Sequence, residues 1–176
     1  MSKTALLIID VQSALVSDAD RGADMLAAIV GLVARTRAAG APIIYLQHTD
    51  PNYPPLMKGA PGWQIHPGIA PGPGESVIEK AASDGFYETG LQAELDRLGV
   101  KRLVICGLQT EFCVDATCRA ALSRGFDVVL AADAHSTTDA VAPASLVVQH
   151  HNRALAHLAH PHRRIVVVAS AEIAIA

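Results

Sequence analysis

Three residues that together could hydrolyse a carbonyl compound each follow an apolar run: Asp10 after ALLII, Lys80 after VIE, and Cys113 shortly after LVIC. A thiolate attacks a carbonyl carbon, but a free thiol of pKa about 8.5 is mostly protonated at neutral pH and needs a base, a nearby cation or a helix N-terminus. All three aids are in prospect here. In ICGLQTEFCVDATCRAAL (105–122) a helical pattern begins near Glu111 and would turn its unpaired backbone N–H groups toward its first turn. Lys80 could supply positive charge, Asp10 could accept the proton, and the same N–H groups could hold a developing oxyanion. Spacing alone equally allows a plainer reading, in which Asp10 caps a turn, Lys80 is a solvated loop residue and Cys113 a small buried hydrophobe.

The elements that must position these residues can be read from hydrophobic periodicity. Apolar, β-branched runs recur as TALLIID (4–10), APIIYLQ (41–47), SVIEK (76–80), RLVICG (102–107), DVVLAAD (127–133) and RIVVVAS (164–170), the pattern of buried parallel strands. Helical patterns lie between most of them: 21–39 closed by Gly40, 89–98 closed by Gly99, 111–124 closed by Gly125, and 141–159 closed by Pro161. The alternation implies an α/β fold with a doubly wound parallel sheet. In such sheets ligands bind outside the carboxyl ends of the strands. Asp10, Gln47 and His48, Lys80, the 107–113 segment and Asp133 to Ser136 all fall there. Residues 48–75 are dense in proline and glycine and too long for an ordinary connection. With Tyr53, Trp63 and Ile65 as apolar anchors, they read as an ordered loop bordering a pocket.

Whole-chain properties bound the class. The 176 residues fit one domain, 1–176, and 51% hydrophobic and 18% charged residues with a net charge of -3 fit neither a disordered chain nor a nucleic-acid binder. The opening MSKTALLIID has too short an apolar run for a signal peptide, and no run approaches a membrane span, so no membrane partner is expected. Three cysteines, Cys106, Cys113 and Cys118, suit free thiols in a reducing compartment, which suggests a cytoplasmic protein acting on a small molecule. Other apparent motifs dissolve. HHNRALAHLAHPH (150–162) lacks an HExxH pattern, the glycines of APGPGES (70–76) precede a strand rather than follow one, and the cysteine spacing lacks CxxC knuckles.

The sequence resembles the isochorismatase-like cysteine hydrolases, which include nicotinamidases and N-carbamoylsarcosine amidohydrolase. The resemblance rests on ALLIIDVQ (5–12), VIEKAASDGFYETGL (77–91) and VICGLQTEFCVDATCRAALSRGFDVVLAADAHST (104–137). It implies a six-stranded parallel sheet of order 3-2-1-4-5-6 with helices on both faces, Rossmann-like, and a triad of Asp10, Lys80 and Cys113. It further implies a cis peptide between Leu108 and Gln109, aiming the Gln109 N–H together with that of Cys113 into an oxyanion hole. The activity implied is hydrolysis of a C–N bond through a thioester on Cys113, in a homo-oligomer, dimer or tetramer, for which the Ala-rich helix at 141–160 offers a surface.

Metal-dependent nicotinamidases of that superfamily use an Asp-x-His pair and a further His. Here Asp50 is followed by Pro51 and Asn52, leaving His48 and His66, so neither a metal nor another cofactor is expected. Two rivals remain: a vinyl ether hydrolase of the isochorismatase type, and a catalytically silent binding or scaffold protein. For the substrate pocket the candidates are Gln12, Trp63, Phe86 and Tyr87, each of which could instead pack the loops onto the core; His135 and Ser136 could line the site or cap turns.

Overall fold

The computed structural model describes residues 3–175. Its elements in chain order are β1 (Lys3–Ile9), α1 (Ser13–Asp18), α2 (Gly22–Ala38), β2 (Ile43–His48), β3 (Ser76–Lys80), α3 (Leu91–Leu98), β4 (Val100–Leu108), α4 (Asp115–Ser123), β5 (Asp127–Ser136), α5 (Ala144–Ala156) and β6 (Ile165–Val168). The strands form one sheet of order β3-β2-β1-β4-β5-β6, and every pairing is parallel. This is the expected 3-2-1-4-5-6 order.

Both faces of the central strands are apolar because alternate residues feed two cores. Leu7 and Ile9 of β1, with Leu103 and Ile105 of β4, pack beneath Leu91 and Leu95 of α3 and Cys118 and Leu122 of α4. Their neighbours Leu6, Ile8, Val104 and Cys106 face Met25, Ile29, Leu32 and Val33 of α2. A strand buried on both sides needs such a continuous apolar run, which is why TALLIID and RLVICG carry no polar alternation. Cys106 and Cys118 are wholly buried members of these cores.

Four departures from the sequence-based expectations bear on the site. The stretch after β1 forms a six-residue helix, α1, whose first turn has no capping side chain to announce it. The helix expected over 111–124 is two elements, a π-helical turn at Thr110–Val114 followed by α4. The 48–75 loop contains three 3-10 turns, Pro54–Leu56, Pro61–Trp63 and Pro67–Ile69, each beginning at a proline whose fixed φ suits that position. β5 also runs on to Ser136, past a register shift opposite Ile105 and Gly107. Among the described residues no helix is long and apolar enough to cross a membrane.

Candidate active site

Asp10 follows β1 directly and has a φ of 51°, a left-handed conformation that aspartate tolerates better than most residues. That turn lifts its carboxylate out of the strand while leaving it 1% exposed. Its neighbour across the sheet is made to fit: Gly107 of β4 pairs with Ile9 at a φ of 124°, and a Cβ there would collide with the Ile9 backbone. Lys80 and His48 end β3 and β2 in register with each other. The Lys80 side chain, itself fully buried, reaches inward from the sheet edge.

The Lys80 ammonium is the hub. Nζ lies 2.7 Å from Asp10 Oδ2 and donates to Cys113 Sγ at 3.2 Å and to the Ala82 carbonyl at 3.0 Å; His48 Nδ1 is 3.3 Å away. Asp10 Oδ1 is buried and has no hydrogen-bond donor among the described residues. Ligating atoms of Asp10, His48 and Cys113 lie within 4.8 Å of one another, close enough to share a cation. The Lys80 ammonium lies against all three side chains and supplies that charge.

Burial dominates the electrostatics. It raises the Asp10 pKa against the opposing pull of Lys80, making the carboxylate a stronger base than an exposed aspartate. Burial also works against the charge on Lys80, but Asp10 and Cys113 beside it prevail and keep it protonated. The Cys113 thiol is pushed up to about 12 by burial and by the Asp10 charge, with Lys80 offsetting only part of this. A thiol raised this far keeps its proton until a base accepts it, the task the sequence reading gave to Asp10.

Cys113 sits in the π-helical turn, half-buried, at the foot of a cleft of about 430 Å³. The Leu108–Gln109 peptide is cis, and Gln109 joins Asp10, His48 and Cys113 in the cleft lining. The apolar walls are Leu15 of α1, Tyr53 and Leu56 of the long loop, and Phe112. Tyr53 and Phe112 are substantially exposed.

The four pocket candidates from the sequence lie elsewhere. Gln12, wholly buried, donates to the carbonyls of His48 (2.9 Å) and Trp63 (2.8 Å) and accepts from the His48 N–H (2.9 Å). It therefore clamps the β2 end to the long loop rather than facing a ligand. Trp63 donates its indole N–H to Thr49 Oγ1 at 2.9 Å. Phe86 stacks on Phe126, ring centroids 6.0 Å apart, beneath the Arg124 guanidinium. Tyr87 is 58% exposed and outside the cleft. Leu15 went unseen with α1, and Phe112 was signalled only by its place beside Cys113.

His135, His66 and Ser136 have structural partners. His135 Nδ1 lies 2.9 Å from the Thr110 hydroxyl, and its Nε2 lies 2.9 Å from Asn152 Oδ1. Because the Asn152 amide nitrogen donates to Ala132 O, its Oδ1 faces the ring; Nε2 carries the proton, and Nδ1 accepts from Thr110. His135 thus braces the start of the π-helical turn from behind. Ser136 Oγ donates to Asp20 O at 2.6 Å, and His66 Nδ1 accepts from the Gly68 N–H at 3.1 Å.

Comparison with known proteins agrees with the fold. The Isochorismatase domain family model matches residues 4–172. The chain is 46% identical over 138 residues to a streptothricin hydrolase of Streptomyces noursei, covering 77% of this chain and 50% of that protein. It spans about half the length of the two streptothricin hydrolases it matches, 50% and 55%. It is 29% identical over 194 residues to the ureidoacrylate amidohydrolase RutB of Methylobacterium radiotolerans, covering 88% and 72% of the two chains. An isochorismatase from Pseudomonas putida superposes with a TM-score of 0.85 at 28% identity, covering 97% of this chain and 90% of that one. The parallel sheet, the residues at its carboxyl edge and these likenesses lead to one conclusion: the chain belongs to the isochorismatase family of hydrolases.

Proposed function

We propose that the protein is a metal-independent cysteine amidohydrolase that cleaves a C–N bond of a small amide, ureide or carbamoyl compound. The observation that carries this reading is the buried Lys80 ammonium held between Asp10 Oδ2 at 2.7 Å and Cys113 Sγ at 3.2 Å, at the foot of an open cleft. Asp10 Oδ1, which has no donor among the described residues, takes the thiol proton as Sγ attacks the carbonyl carbon. Lys80 stabilises the sulfur anion as it forms. The backbone N–H groups of Gln109 and Cys113 receive the carbonyl oxygen as it becomes an oxyanion. Collapse of the tetrahedral intermediate breaks the C–N bond, and the departing nitrogen takes the proton from Asp10. Water then attacks the thioester, giving its proton to Asp10, and the acid leaves with the thiol restored.

The relatives support C–N hydrolysis: RutB is an amidohydrolase, and the streptothricin hydrolases are hydrolases that this chain resembles over 77% of its length. A protein retained only for binding has no use for a carboxylate, an ammonium and a thiol buried together at a cost in desolvation. Free thiols at Cys106, Cys113 and Cys118 fit a reducing, cytoplasmic setting. Exposed Val141 and Leu146, at and just before α5, fit self-association, which light scattering measures directly. The test of the activity is a screen of amides, ureides and carbamoyl compounds for ammonia or amine release. Cys113→Ala should abolish release, and rapid quench with mass spectrometry should find the acyl group on Cys113. Turnover undiminished in Cys113→Ala rejects the mechanism.

A further inference from the structure

We propose that His48 is a fourth residue of the reaction centre: a neutral imidazole, fixed by Lys80 as the Nε2–H tautomer, that donates this N–H to an acceptor atom of the substrate beside the scissile carbonyl. The inference rests on the amidohydrolase reading above and adds a role to a residue that the proposed steps leave idle.

The tautomer follows from donor and acceptor chemistry. Nζ has three hydrogens and three nearer acceptors, Asp10 Oδ2, Cys113 Sγ and the Ala82 carbonyl, while His48 Nδ1 lies 3.3 Å from the same cation; a hydrogen on Nδ1 would set donor against ammonium, so Nδ1 turns its lone pair to Lys80 and the proton sits on Nε2. Nε2 has no protein partner among the described residues, and His48 lines the cleft with Asp10 and Cys113. A buried-edge donor without a protein acceptor, this close to the sulfur, can be satisfied by whatever occupies the cleft.

The ring is also held from behind. The buried Gln12 side chain bonds both the N–H and the carbonyl of His48, so the backbone that carries the imidazole is fixed on two sides. Such a double clamp at a strand end positions a side chain more tightly than the loop around it needs.

The charged groups facing the imidazole come from several elements. Asp10 after β1 and Asp50 in the following loop favour its protonated form; Lys80 from β3 opposes it, and Cys113 of the π-helical turn and Asp18 of α1 share its cleft. Burial, then the Lys80 charge, prevail and lower the His48 pKa, so the ring stays neutral at physiological pH. Protonating Nδ1 at acid pH would place a second cation against the Lys80 ammonium.

Two measurements test the proposal. Nitrogen-15 NMR of labelled histidine in the wild-type protein should show His48 with Nδ1 unprotonated and Nε2 protonated at neutral pH; the other tautomer or an imidazolium overturns it. On a substrate found in the release screen, His48→Leu should lower kcat/KM about tenfold or more, the scale of a lost hydrogen bond in a desolvated site, while the rate of Cys113 alkylation by iodoacetamide stays within about twofold. His48→Gln, which keeps an N–H donor, should recover part of the loss. Wild-type kcat/KM in His48→Leu overturns the proposal. So does an equal fall in alkylation, which would mean that His48 merely holds Lys80 in place. Neither outcome touches the nucleophile assignment, which Cys113→Ala decides.

Discussion

The Lys80 ammonium and Asp10 Oδ2 lie 2.7 Å apart with both side chains 1% exposed or less, so each is the other's charge partner at the buried foot of the cleft. Removing one partner of such a pair strands a buried charge, typically costing about 3–5 kcal/mol. Lys80→Met should therefore destabilise the fold by about that much. Lys80→Met combined with Asp10→Asn, which leaves no charge, should cost less than the two single changes added together. Urea unfolding of the four proteins measures the coupling; strict additivity would show that the pair is solvated.

Cys113 and Asp10 also make opposed predictions for reactivity and turnover. With its pKa pushed up to about 12, Cys113 should be alkylated by iodoacetamide at a rate that climbs with pH through the alkaline range, with no plateau near neutrality. The Asp10 charge contributes to that elevation. Asp10→Asn should accordingly alkylate faster than wild type at a given pH while losing hydrolysis, because the thiol ionises more easily but the proposed base is gone. A wild-type plateau between about pH 6 and 8 would instead mean a preformed thiolate.

His135 couples the brace behind the π-helical turn to pH. Burial lowers its pKa from 6.5, so the unfolded chain binds a proton that the folded one does not. Stability from this group is fully present above 6.5 and is lost as pH falls toward the lowered folded value. The urea midpoint should decline as pH falls below 6.5, and His135→Asn should flatten that decline even though it weakens the brace. An unchanged slope would assign the decline to other groups.

Gly107 is required by close approach and by backbone conformation together. At a φ of 124° with the Ile9 backbone against it, any Cβ forces β4 away from β1 at the point where Asp10 is placed. Gly107→Ala should leave little folded protein, whereas Gly40→Ala, at a φ of 64° with nothing near, should cost only about 1–2 kcal/mol. Circular dichroism and thermal melts compare the two; similar losses would mean that the contact with Ile9 is easily relieved.

The strands and the three residues at their carboxyl ends were legible because the central strands are buried on both faces and read as unbroken apolar runs, and because even the edge strand β3, with Val77 and Glu79 exposed, is a short β-branched run that ends in Lys80. TALLIID, SVIEK and RLVICG carry Asp10, Lys80 and the approach to Cys113 in plain view. The cleft walls were not legible. SALVSD is one short helix without a capping side chain, so Leu15 gave no periodic signal. Tyr53 and Trp63 look alike as loop anchors, and only the folding of three proline-led turns decides that Tyr53 faces the cleft while the Trp63 indole turns to Thr49. The burial that raises the Cys113 pKa was equally hidden, because spacing reports neighbours in the chain but not how much water the fold leaves around the sulfur.

The cleft walls give the last prediction. Tyr53 and Phe112 present aromatic surface to whatever lies over Cys113, while Tyr87 is exposed outside the cleft. Truncating an aromatic that packs on a ligand forfeits about 1–2 kcal/mol of contact, roughly a tenfold change in affinity. Tyr53→Ala and Phe112→Ala should each raise KM by about that factor, with a smaller change in kcat, because both walls hold substrate without touching the reacting bond. Tyr87→Ala should leave both constants unchanged. If Tyr87→Ala raises KM as much as Phe112→Ala does, the substrate enters from the side of the Lys80 loop, and Tyr87 belongs to its path.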